Sequence, residues 1–240
     1  MERISETSPR LRARMAGGLW LLYVSMATLA DAARRGLIVN GDTAATATNL
    51  LAHSSLFQLG FAADLLAIAC YIAMAALFYE LFRPVSRTAS RLAAFFSLGG
   101  CTIQSLGGIF QIAPLVVLGG RQDLGAFKVE QLQALAYMFL KLYSQAYSIA
   151  LVFFAFFSLV IGYLIFKSTF LPRILGVLMA IAGLSWMTFL SPSLGAKYLH
   201  PYLLVAGSGE GLLILWLLVF GVNATRWKER ASAAAMAVSR

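Results

Sequence analysis

The chain has 240 residues, of which 60% are hydrophobic and 12% charged, with a mean hydropathy of +0.79. Soluble domains carry about 25% charged residues, so this composition excludes an ordinary water-soluble domain and favours a membrane protein. The formal net charge of +9 does not indicate nucleic acid as a partner: Lys and Arg fall mostly in short segments between apolar runs, as they do in membrane proteins.

Six apolar runs follow one another: Met15–Ala33, Leu56–Phe82, Leu92–Leu118, Leu132–Phe166, Leu171–Leu190 and Leu203–Thr225. A span needs ~20 apolar residues. In hydrocarbon a span must satisfy its backbone internally, so each run reads as a helix. The first run follows Arg10, Arg12 and Arg14, and "ATLADAA" allows a signal-peptide cleavage site. We read it instead as an uncleaved first span, with Gly18, Ser25 and Thr28 on a packing face.

Between runs one and two, "VNGDTAATATNLLAHSS" opens on an Asn-Gly turn, and Asp42 or Thr43 can cap a short helix. The inner connections "FRPVSR" and "KSTFLPR" each hold a helix-stopping proline. Beyond run six, "RWKERASAAAMAVSR" reads as a frayed helix with Trp227 at the membrane interface, and residues 227–240 as a short cytoplasmic tail on a single transmembrane domain, 1–240. No internal repeat of the transporter kind is visible.

Counting cations orients the chain. One side collects Arg3, Arg10, Arg12, Arg14, Arg83, Arg87, Arg91, Lys167, Arg173, Arg226, Lys228, Arg230 and Arg240, thirteen in all; the other has Arg34, Arg35, Arg121, Lys128 and Lys197. The expected fold is therefore an all-α polytopic membrane protein, a bundle of six transmembrane helices with both termini cytoplasmic.

Within these runs, Asp64 interrupts "LGFAADLLAIACY". Measured in helix turns from the inner cations, Asp64, Gln111, Lys141 and Glu210 fall at similar depth near the outer edge of the hydrocarbon. In run four, Glu130, Gln133, Tyr137, Lys141, Ser144 and Ser148 recur every three or four residues. In run three, Ser97, Cys101, Gln104, Gly108 and Gln111 do the same. Polar stripes facing lipid are costly, so both are expected to face inward.

Two accounts remain open at this point. The groups can fix helices together through hydrogen bonds, or they can line a water-filled pocket open to the outside. The pocket candidates are Asp64, Gln104, Gln111, Tyr137, Lys141, Ser144 and Glu210. Lys141 is the expected partner of Asp64 or Glu210, with snorkelling to the headgroups as its alternative. Glu80, beside Arg83 and Arg87, reads as an interfacial ion pair.

His53 and His200, both near outer connections, are weak metal candidates with Asp64 or Glu210 and match no haem or zinc spacing, so no cofactor is expected. "AGSGEG" places Ser208 between glycines, but Ala206 stands where a Gly-x-Ser-Gly protease motif begins and no histidine base sits on a neighbouring span. A retinal Schiff base on Lys141 disagrees with six spans and an interfacial lysine. Gly99-Gly100, Gly107-Gly108, Gly176 and Gly183 fit close helix approach. Cys70 and Cys101, inside apolar runs, read as small buried hydrophobes.

The blocks "LFQLGFAADLLAIACY", "LFYELFRPVSR", "LQALAYMFLKLYSQAYSIALVFF", "STFLPRILGVLMAIAGL" and "GEGLLILWLL" resemble, in order, the bacterial DUF4386 family, from about Arg10 to Trp227. The resemblance implies a small multi-span bacterial membrane protein that keeps its first span. It implies no activity and carries over no catalytic residue. Three functional classes follow: binding or transport of a small polar or amphipathic molecule, a structural or regulatory membrane protein, and a membrane-embedded enzyme using carboxylate or histidine chemistry. The bilayer is the expected partner, with a small-molecule ligand and self-association left open.

Overall fold

The computed structural model describes residues 8–120, 124–191 and 207–238, helices joined by turns and short irregular segments with no strand among them. We label the helices α1 (Pro9–Arg34), α2 (Thr43–Ala52), α3 (Ser54–Phe82), α4 (Arg87–Gly119), α5 (Val129–Lys167) and α6 (Arg173–Trp186). A 3₁₀ turn at Met187–Leu190 follows α6; α7 covers Gly207–Val219 and α8 Ala224–Val238. Five helical segments are long and apolar enough to cross a membrane: α1, α3, α4, α5, and α6 with its 3₁₀ turn. The fold is all-α and polytopic. Leu66, Phe95, Ile109, Leu184 and Leu215 lie more than half exposed on it, as lipid-facing side chains do rather than water-facing ones.

The start of the sixth expected span lies outside the described residues. Its end is corrected: the run does not continue to Thr225. α7 stops at Val219, Gly221 takes φ +67°, and α8 leaves at 98° to α7. A positive φ is cheap only for glycine, which is why the turn falls there. Asn223 then caps α8, its Oδ1 accepting from the Arg226 N–H at 3.1 Å. The basic segment is thus a separate helix, pinned where the Trp227 indole donates to the Leu81 carbonyl at 2.8 Å.

The residues group into two compact units. One comprises 1–21, 70–100 and 151–240. Its core is aromatic, with Phe78 meeting Trp20 edge-on at 5.6 Å and stacking on Phe157 at 6.3 Å, and Tyr71 packing on Phe154 at 4.7 Å. α5 and α6 approach closely through Gly162, Gly176 and Gly183. Glu80 pairs with Arg12 at 4.0 Å rather than with Arg83 or Arg87.

The other unit comprises 22–69 and 101–150. Asp42 caps α2, accepting from the Ala45 N–H at 2.8 Å. That cap lets a ten-residue helix form in the outer connection. α2 lays Ala47 and Leu50 against Leu37, Phe57, Leu118, Ala136 and Leu140.

Candidate functional site

Four helices of this second unit bring polar side chains onto one carboxylate oxygen. Arg34 is the last residue of α1, and its Nη1 donates to Asp64 Oδ2 in a buried ion pair. Gln111 Nε2 on α4 donates to the same oxygen at 3.0 Å, and the Tyr143 hydroxyl on α5 reaches it at 3.3 Å. The Arg34 guanidinium also lies over the Tyr143 ring, 5.5 Å from its centre, within cation–π range. Asp64 is 6% exposed and Gln111 1%.

The local sequence explains the convergence. Asp64 lies 18 residues before the end of α3, ~27 Å along the axis, among small neighbours: Ala63 and Ala67 are buried beside it. The same α3 surface packs tightly one turn earlier, where a Cβ on Gly60 would meet Ala33 Cβ at 3.2 Å. That contact brings the end of α1, and so Arg34, beside α3. Its neighbour Arg35 points the other way, into an exposed i, i+4 pair with Asp31 at 2.7 Å.

On α4 the stripe of Ser97, Cys101, Gln104, Gly108 and Gln111 is buried throughout. The α5 stripe is not, and this corrects the expectation. Glu130, Lys141 and Ser144 are exposed and Gln133, Tyr137 and Ser148 half-buried, while Leu132, Ala136 and Leu140 occupy the buried face. The physical reason is length. A helix of 39 residues is ~58 Å long, against ~30 Å of hydrocarbon, so its outer turns carry polar groups without facing lipid.

The remaining candidates separate accordingly. Lys141 is not the partner of Asp64: Arg34 is, and Lys141 Nζ lies 5.0 Å from the centre of the Tyr137 ring. The Tyr137 hydroxyl accepts from the Gly41 N–H at 3.0 Å, tying α5 to the turn before α2. The Ser144 carbonyl accepts from the Ser148 hydroxyl at 3.0 Å. Glu210, which belongs to the other unit, accepts from the Trp186 indole at 2.8 Å. Its partner is therefore a neutral donor rather than a lysine.

His53 is exposed at the end of α2, and His200 lies outside the described residues. Among the described residues no three His, Cys, Asp or Glu side chains gather as metal ligands.

Three members of these contacts escape sequence reasoning: Arg34, Tyr143 and Trp186. Arg34 counts as a loop cation until the helix is known to include it. Tyr143 lies off the polar stripe, on the continuation of the Leu132, Ala136, Leu140 face. Periodicity could have found it as a hydroxyl on an apolar face.

The family described as Domain of unknown function (DUF4386) matches residues 15–221. The chain belongs to the DUF4386 family. Asp64 and the three residues converging on its Oδ2 lie inside the matched DUF4386 region, whereas α8 lies beyond it. No curated protein and no solved structure matches the chain.

Proposed function

We propose that this DUF4386 protein is a structural or regulatory protein of the bacterial cytoplasmic membrane, whose Asp64 node locks the outer ends of α1, α3, α4 and α5 together. One observation carries the reading: a single buried oxygen, Asp64 Oδ2, accepts from side chains of three other helices. A charge near the membrane interior is a functional candidate by default. Here its charge is compensated by Arg34 and its donors come from the protein itself. The thirteen-to-five cation asymmetry supports cytoplasmic termini. A reporter fused after Arg240 that is active only in the periplasm would overturn that orientation.

The second reading is recognition of a small polar or amphipathic molecule within the second unit, with Asp64, Gln104 and Gln111 as the candidate contacts. One observation favours it. Gln104 Oε1 is buried without a hydrogen-bond partner among the described residues, on the same α4 face as Gln111. A buried acceptor left unmet costs ~1–3 kcal/mol, and a ligand or water donor would remove that cost.

Melting the purified protein against a metabolite panel separates the two. The lock predicts that Asp64→Asn melts earlier in every condition and that no compound shifts the wild type in a way that depends on Gln104. A compound that raises the wild-type midpoint, and fails to do so in Gln104→Leu, would establish the second reading and displace the first.

A further inference from the structure

The first turn of α1, the α3–α4 connection and α8 enclose a groove of about 1110 Å³ within the first unit. Among the described residues four cations line it, Arg12, Arg83, Arg87 and Lys228, against a single carboxylate, Glu80. Glu80 is already paired with Arg12. Arg83, Arg87 and Lys228 are exposed and form no ion pair among the described residues.

Cations close to the groove in sequence have structural tasks instead. Arg10 and Arg14 donate to the Val222 and Val219 carbonyls at 3.4 and 3.0 Å, and Arg226 to the Thr169 carbonyl at 3.3 Å. Arg83, Arg87 and Lys228 are therefore three cations without an ion pair among the described residues, gathered in one concavity.

The remaining lining mixes an apolar wall, Pro84, Val85, Trp227 and the alanines of α8, with the hydroxyls of Ser8, Ser86 and Ser232. Because α8 stands at 98° to α7, an α7 that crosses the bilayer leaves α8 along its surface. Exposed Leu11 and Leu92, near the starts of α1 and α4, extend apolar surface from the same end of those helices.

We propose that this groove binds the phosphate headgroup of an anionic phospholipid. The phosphate meets Arg83, Arg87 and Lys228, and the glycerol and upper acyl carbons lie against the Pro84, Val85 and Trp227 wall. A free phosphate ester satisfies the cations equally but leaves the apolar wall uncovered, which is why the lipid is the better occupant. Basic pockets beside transmembrane helices recognise such headgroups by this combination.

The test uses the full chain in nanodiscs of phosphatidylcholine, with and without phosphatidylglycerol, and in phosphatidylcholine discs with added inorganic phosphate. Phosphatidylglycerol is expected to raise the melting midpoint of the wild type, less so at high salt. It should do the same for an Arg91→Gln/Lys167→Gln control, whose cations lie outside the groove. Arg83→Gln/Arg87→Gln/Lys228→Gln should lose the increase while melting normally in phosphatidylcholine.

Retention of the increase in the triple variant, or its equal loss in the control, would overturn the site. An equal increase from inorganic phosphate would overturn the lipid as its occupant. Should the triple variant not fold, native mass spectrometry of Lys228→Gln decides. Lipid retention about fivefold weaker is expected for one cation removed, and unchanged retention refutes the proposal.

Discussion

Replacing Asp64 by asparagine should destabilise the protein by ~3–5 kcal/mol, the range for breaking a buried ion pair from one side. The substitution changes little in shape. It removes the charge that compensates Arg34, whose side chain is 14% exposed, and leaves that guanidinium with a neutral amide. Gln111, 1% exposed, loses a charged acceptor at the same time, and hydrogen bonds to charged groups are the stronger kind.

Reversible unfolding in bicelles measures the loss. Asp31→Asn is the internal comparison, because Arg35 and Asp31 form the same kind of pair with side chains 79% and 55% exposed. That variant should fall within ~0–1 kcal/mol. Equal losses from the two would mean that Asp64 is solvated in the folded protein.

The second large effect is expected at the α5–α6 crossing. A Cβ on Gly162 would lie 2.7 Å from the Gly176 carbonyl oxygen and 2.9 Å from the Ala180 nitrogen. A Cβ on Gly176 would lie 2.7 Å from both the Gly162 oxygen and the Phe166 nitrogen. These neighbours are backbone atoms and cannot rotate away, so either alanine forces the helices apart. Small residues allow this approach, and in a membrane close packing is a main source of helix association.

Gly162→Ala should therefore cost ~1–3 kcal/mol as overpacking. Gly162→Val should cost more and reduce the yield of folded protein. Gly18→Ala has only Leu218 Cδ2, at 3.9 Å, in its way. It should be neutral, or stabilising by up to ~1 kcal/mol through helix propensity. A Gly162→Ala protein as stable as the wild type would show that α5 and α6 do not pack backbone to backbone.

Gly176 was legible in the sequence as a close-approach position, because small residues spaced along an apolar run have few other uses, whereas its partner Gly162 was not singled out. The long helices were legible for a related reason: hydrocarbon permits little besides helix. The Asp42 cap and the short helix behind it were legible from local turn chemistry. The buried stripe of α4 follows from its period.

What could not be read is which groups meet. Depth counting pairs Asp64 with Lys141, and Arg34 is not considered because it is assigned to a connection. Helix α1 runs one residue beyond the apolar run, and that residue carries the charge. The α5 stripe misled for a related reason. Periodicity reports that a helix has two faces, but a helix extending past the bilayer can turn its polar face to water. The bend at Gly221 was hidden because the apolar run crosses it without interruption.

If the Arg34–Asp64 pair joins helices as one unit, its two charges must be energetically coupled. A double-mutant cycle with Arg34→Leu and Asp64→Leu measures that coupling directly. Each single variant should be strongly destabilised and the double variant should lose clearly less than the sum of the two, with a coupling energy of ~2–3 kcal/mol. Strictly additive losses, with no coupling between the two positions, would mean that the two charges do not act as one unit.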